Sequence, residues 1–100
     1  MTISLPRGLI VSCQARADNP LHGPAFMGAM ALAARDGGAV AIRANGPDDI
    51  AAVKAAGLPV IGIHKIFSDE YPVYITPSFA AAEAVVAAGA DIVGLDCTTR

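Results

Sequence analysis

The 100-residue chain has no Trp and only five aromatic side chains, three Phe and two Tyr, so large rings cannot dominate its core. Its two cysteines, Cys13 and Cys97, are too few to staple a small secreted domain, and they form no CxxC pair of the kind that holds zinc. Seven Lys plus Arg against nine Asp plus Glu leave a net charge of −2, with no basic excess to neutralise a nucleic-acid backbone. No run of 18 apolar residues occurs, and residues 1–7 lack the apolar stretch and cleavage site of a secretory leader. The expectation is a protein of the reducing cytoplasm with neither nucleic acid nor membrane as partner. A glycine-rich GxGxxG turn after the first apolar run is also missing, which counts against a dinucleotide site.

What the chain has is small aliphatic bulk. Hydrophobic residues make up 54% of it, and 21 of them are Ala. Its mean hydropathy is +0.51. The apolar residues concentrate in four short runs, 8–14 (GLIVSCQ), 39–45 (AVAIRAN), 59–65 (PVIGIHK) and 91–97 (DIVGLDC). None alternates strictly between apolar and polar, so each is expected to be a strand covered on both faces, the habit of a parallel sheet. Helical segments lie between them. Pro24 opens one that carries Phe26, Met27 and Met30 toward the core and ends at Gly37 and Gly38. Pro47, Asp48 and Asp49 open a second, with two carboxylates at the positive end of the helix dipole and Gly57 as its stop. Thr76 is expected to cap a third, with Pro77 in its first turn and Gly89 at its close. The order is therefore strand, helix, strand, helix, strand, helix, strand. It fits a barrel wall with helices on one side or an open sheet with helices on both, and periodicity does not choose between them.

In such folds chemistry collects at the carboxyl ends of the strands, which draws attention to Gln14, Arg43 with Asn45, His64 with Lys65, and Asp96 with Cys97. Aligned from their first residues, the first three runs place Ser12 and Gln14, Arg43 and Asn45, and Ile63 and Lys65 in matching columns, all facing one side of the sheet. Asp96 falls one column out, and its register is left open. A guanidinium after four apolar residues needs an anion or a carboxylate, so Arg43 either contacts substrate or pairs with a neighbour. Lys65, desolvated and near Arg43, would have its pKa lowered toward neutrality and could accept a proton or act as a Schiff-base nucleophile, or it could snorkel from a strand end. Gln14 could orient a carbonyl or simply cap a loop. His64 should face the helix layer, His22 lies in a loop with no second ligand at metal spacing, and both cysteines are expected to be buried. Asp69 and Glu70 read as a solvated pair in a loop that could also cover a site.

Taken together and in order, the segments 8–15 (GLIVSCQA), 39–46 (AVAIRANG), 59–65 (PVIGIHK), 73–77 (VYITP) and 88–98 (AGADIVGLDCT) resemble the N-acetylmannosamine-6-phosphate 2-epimerases. The resemblance covers essentially all 100 residues. It implies a TIM (β/α)8 barrel, of which this chain would be a half-barrel of about four parallel strands and three helices. The implied activity interconverts N-acetylmannosamine 6-phosphate and N-acetylglucosamine 6-phosphate by proton transfer at carbon 2, in sialic acid catabolism, without a cofactor or obligatory metal. It also implies that Lys65 is the proton-transferring base, that Gln14 and Arg43 hold substrate, and that Asp96 lines the site.

An eight-stranded barrel takes about 200–250 residues. The expectation is accordingly that residues 1–100 are the amino-terminal half of the domain, and that the family's carboxylate acid and its phosphate-binding loops lie beyond Arg100. A half-barrel would expose two sheet edges and an apolar inner face. The alternative reading is therefore a non-enzymatic or assembly-dependent half-barrel that associates with a second copy, a complementary half or a sugar phosphate.

Overall fold

The computed structural model describes residues 5–98. Four strands, β1 (Ile10–Cys13), β2 (Ala41–Asn45), β3 (Val60–Ile63) and β4 (Ile92–Val93), form one parallel sheet in the order β1-β2-β3-β4. The connections carry α1 (Pro24–Asp36), α2 (Pro47–Val53), which runs on into a 3-10 turn at Lys54–Ala56, and α3 (Phe79–Ala87).

The helix ends follow local chemistry. Pro24 and Pro47 occupy the first turns of α1 and α2, where a missing N–H costs nothing. Asp48 and Asp49 lie in the first turn of α2, and Gly57, left-handed at φ 75°, turns the chain toward β3. The start of α3 differs from the expectation. Its cap is Ser78, whose hydroxyl accepts the Ala81 N–H at 3.1 Å. Thr76 is held in other bonds and Pro77 precedes the helix.

All three helices pack on one face of the sheet. Cys13, Ile42, Ala44 and Val60 from the strands close against Met27 and Ala31 of α1, Ile50 and Val53 of α2, and Val85 of α3, all essentially inaccessible to water. Gly62 lets this layer approach, because a Cβ there would lie 2.6 Å from Val85 Cγ1, 2.7 Å from Ala90 Cβ and 2.9 Å from Ile50 Cδ1. A doubly wound sheet would reverse its strand order and carry helices on both faces. Sequential order with one helical face is the wall of a barrel, here four strands of it.

The opposite face carries Ser12, Arg43, Ile61 and Ile92 in one register row. Parity holds for the first three strands, although Arg43 pairs with Ile61 rather than with Ile63. For the fourth, Ile92 pairs with Ile61, so Gly94 and Asp96 keep the parity of Ile63 and Lys65, contrary to the expectation that Asp96 falls one column out. Alignment from Asp91 misses by one residue, because Val60, not Pro59, is the residue whose carbonyl accepts the Asp91 N–H. Two core assignments also change: Phe26 is 49% exposed on the outer side of α1, and Cys97 is exposed while Cys13 is buried.

Candidate active site

A cleft of about 760 Å³ opens where the carboxyl ends of β1, β2 and β3 meet their following loops, within the size range of small-molecule sites. Gln14 and Lys65 line it, together with Asn45, the last residue of β2. Lys65 is fixed at its backbone, where its N–H donates to Asn45 Oδ1 at 2.8 Å, and it forms an isolated antiparallel bridge with Ile75. Its amine is pushed below the ordinary lysine value, first by burial and then by the positive charges of Arg43 and Arg16. A lysine in this setting releases its proton more readily, which a base requires.

Arg43 sits one step deeper, on the same face of β2, and acts on Lys65 through its field rather than as part of the cleft wall. Among the described residues the ion pairs are Arg35 with Asp36 and Lys54 with Asp91, so no carboxylate pairs with Arg43 there. Gln14 donates from Nε2 to Ser12 Oγ at 2.7 Å, which orients its amide above the row that contains Arg43. Asp96 lies outside the cleft lining. Its Oδ1 accepts the Thr98 N–H at 2.9 Å and the Thr98 hydroxyl at 2.6 Å, and its own N–H donates to Ile75 O at 3.0 Å. Gln14, Arg43 and Lys65 are thus gathered at one end of the sheet, and Asp96 stands at its β4 side.

Thr76 joins these pieces. It is buried at φ 48°, a region costly for a β-branched residue, and three hydrogen bonds hold it there. Its N–H donates to His64 O at 2.8 Å, its Oγ1 accepts the His64 N–H at 3.1 Å, and its hydroxyl donates to Gly94 O at 2.6 Å. The end of β3, which presents Lys65, is thereby tied to the chain leaving β4. His64 has its backbone fully engaged by Thr76, and its Nδ1 is buried with no hydrogen-bond partner among the described residues.

Sequence reasoning passed over several residues of this cleft. Arg16 lies three residues after β1, and Asp48 and Asp49 lie three and four residues after β2. The two carboxylates had a sufficient explanation in the helix dipole, which hid their second position on the cleft wall. Burial raises the Asp49 pKa, His22 opposes that rise, and Asp48 adds to it. His22, whose Nδ1 lies 2.9 Å from Ala15 O, also lines the cleft. Small and apolar residues of the connections after β1 and β2, Ala15, Ala17, Pro24 and Pro47, fill part of the wall, and a stacked pair, Phe67 and Tyr74, forms another part. Strand-end position is the signal that finds Arg16, Asp48 and Asp49; the aromatic pair depends on a loop fold that no local pattern announces. Among the described residues, no group of three or more His, Cys, Asp or Glu is arranged to hold a metal ion.

Residues 27–100 match the NanE family, described as "Putative N-acetylmannosamine-6-phosphate epimerase". The chain belongs to this family. A relative from Thermosynechococcus vestitus, named "Putative N-acetylmannosamine-6-phosphate 2-epimerase", is 58% identical over 94 residues, covering 93% of this chain and 41% of its own length. A Clostridioides difficile relative of the same name is 48% identical over 93 residues, or 92% of this chain and 42% of its own. The solved N-acetylmannosamine-6-phosphate 2-epimerase of Clostridium perfringens superposes with a TM-score of 0.86 at 44% identity, over 91% of this chain and 40% of that one. The chain thus spans about two-fifths of the length of the curated relatives it matches. Fold and family agree with the resemblance read from the strand-end motifs. Among the described residues no helix is long and apolar enough to cross a membrane.

Proposed function

We propose that this chain carries the base-bearing part of an active site that epimerises N-acetylmannosamine 6-phosphate and N-acetylglucosamine 6-phosphate at carbon 2, in the cytoplasm and as the amino-terminal half of a barrel domain. The observation that carries the reading is Lys65: a lysine with a lowered pKa, lining a cleft with Gln14, in the field of Arg43. In the open-chain sugar, carbon 2 is alpha to the aldehyde. The neutral Lys65 amine takes the carbon-2 proton and becomes ammonium. The C–H electron pair becomes the carbon 1–carbon 2 double bond, and the carbonyl electrons move to oxygen 1 as an enolate. Gln14 on the cleft wall and Arg43 through its field stabilise that oxyanion, and Asp96, which stands outside this cleft at the β4 side of the sheet, is assigned the far end of the sugar chain. Reprotonation at carbon 2 with return of the electron pair completes the reaction. Inversion needs the donor on the opposite face, a role proposed for the part of the domain that the relatives have beyond this span.

Exchange without inversion is the diagnostic reaction, since it needs Lys65 alone. In D2O the chain should replace the carbon-2 hydrogen of N-acetylmannosamine 6-phosphate with deuterium, read by proton NMR, and Lys65→Ala should abolish this. Exchange that survives Lys65→Ala rejects the assignment of the base.

A second reading is favoured by the sheet edges. Among the described residues β1 and β4 are each paired on one side only, and Leu9 and Leu95 beside them are 64% and 56% exposed. Such edges favour pairing with a second copy or a complementary half-barrel. Sedimentation should show association at micromolar concentration, whereas a stable monomer would reject it.

A further inference from the structure

Phe67 is 76% exposed although it is among the largest apolar side chains of the protein, and it is not loose. Its ring stacks on Tyr74 with centroids 4.8 Å apart and planes inclined by 24°. The two rings stand on opposite arms of a hairpin rooted at the base itself: Lys65 bridges Ile75, and the Ile66 N–H donates to Tyr74 O at 2.8 Å. Both rings line the large cleft and also a smaller concavity of about 510 Å³ inside the loop tip, so the pair is the partition between the two. One side of this partition faces the space that Lys65 faces. A preorganised apolar wall left open to water beside a general base is suited to an apolar substituent on the reacting carbon.

We infer that the Phe67–Tyr74 pair is the contact for the N-acyl methyl group of the substrate and selects N-acylated sugars over sugars with a bare hydroxyl at carbon 2. This rests on the function proposed above. Carbon 2 must come within hydrogen-bond reach of the Lys65 amine for proton transfer, and the acetamido group is bonded to that same carbon. Its methyl therefore has to lie within a few bond lengths of Lys65. The hairpin that continues from Lys65 places its aromatic pair on the wall of that space. The polar side chains of the wall, Gln14, Arg16, Asn45 and Asp49, would leave a methyl unmatched, and its other apolar members, Ala15, Ala17, Pro24 and Pro47, belong to the connections after β1 and β2 rather than to the segment that continues from Lys65. The rings add no proton transfer; they decide which carbon-2 substituent is held there.

The test compares binding of N-acetylmannosamine 6-phosphate and mannose 6-phosphate to the full chain by calorimetry, with proton NMR of the acetyl methyl in parallel. The chain should prefer the N-acetyl ligand, and the methyl resonance should move upfield on binding because it lies over a ring. Phe67→Ala should reduce that preference about tenfold and remove the upfield shift, with mannose 6-phosphate affinity unchanged. Its exposure keeps the substitution out of the core, and circular dichroism checks that the fold is kept. Phe79→Ala, 80% exposed at the start of α3 and outside the cleft lining, should alter neither. Equal weakening of both ligands by Phe67→Ala overturns the acyl assignment while leaving the proposed function standing. A chain that binds both ligands equally does the same, and one that binds neither overturns the function and this inference together.

Discussion

Gly62 offers the sharpest test of how the sheet and helices fit. It lies in β3 on the helix-facing side, and an added Cβ would meet three neighbours below 3.0 Å at once: Val85 Cγ1, Ala90 Cβ and Ile50 Cδ1. Two of these atoms end side chains that can shift. Ala90 Cβ cannot, since it moves only with its backbone. Val85 and Ile50 are fully buried, so their displacement is passed on to the rest of the core. Overpacking of this kind costs about 1–3 kcal/mol, and the backbone-borne clash places Gly62→Ala at the upper end, about 3 kcal/mol. For a 100-residue chain this corresponds to a melting temperature lower by roughly 12–24 °C, or an unfolded protein if the starting stability is small. Two other glycines calibrate the result. Gly94→Ala would press only Ile63 Cγ2 at 2.8 Å and should cost about 1 kcal/mol. Gly28, inside α1, would place its Cβ 3.4 Å from Ala52 O and 3.7 Å from Ala52 Cβ, ordinary contacts. Gly28→Ala should therefore stabilise by about 0.5–1 kcal/mol through helix propensity. Urea titrations of the three variants check the order. A Gly62→Ala midpoint equal to that of the parent, with an unchanged slope, would refute the packing argument.

The other predictions concern charge and the Thr76 clasp. Thr76→Val leaves the His64 N–H and Gly94 O without their partner and should cost about 2 kcal/mol in a denaturant titration, whereas Thr76→Ser, which keeps the hydroxyl, should lose far less. Arg43→Met should raise the Lys65 pKa, read by NMR titration, yet not restore the ordinary value, because burial outranks Arg43 among its causes. Since that pKa is lowered on folding, the unfolded chain binds more protons between the folded value and 10.5; Lys65 therefore makes stability rise with pH in that window, and Lys65→Met should flatten the rise. Asp91 is held below 3.8, first by the Lys54 hydrogen bond and then by the Val60 N–H; its contribution is present above pH 3.8 and lost as pH falls through the folded value. Lys54→Met should move that acid limb to higher pH and cost less than about 1 kcal/mol of stability above it, because the pair is more than a third exposed.

The Gly and Pro punctuation made most elements legible, since Pro24, Pro47, Gly57 and Gly89 each do at a helix boundary what their backbone preferences require. Fully apolar runs likewise announced strands buried on the helix side. The fourth run was misjudged in length because a competitor takes its hydrogen bonds. The Gly94 N–H still reaches Gly62 O, but Gly94 O is taken by Thr76 and the Asp96 N–H by Ile75, so pairing with β3 stops where that loop intrudes. Strand-end position sufficed to draw Gln14, Arg43 and Lys65 together. Phe67 and Tyr74, seven residues apart, meet only through the hairpin, and nothing in their immediate neighbours encodes that stack.

The strand order β1-β2-β3-β4 is the order of the chain. Among the described residues each new strand pairs with the one before it, so β2, β3 and β4 each dock on an edge already made. A ribosome releasing the chain from its amino end would therefore deliver the pieces in the sequence in which they dock, with each helix arriving to shield its strand before the next edge appears. Assembly can keep pace with synthesis, and among the described residues the edge that stays open longest is that of β1, the first to emerge.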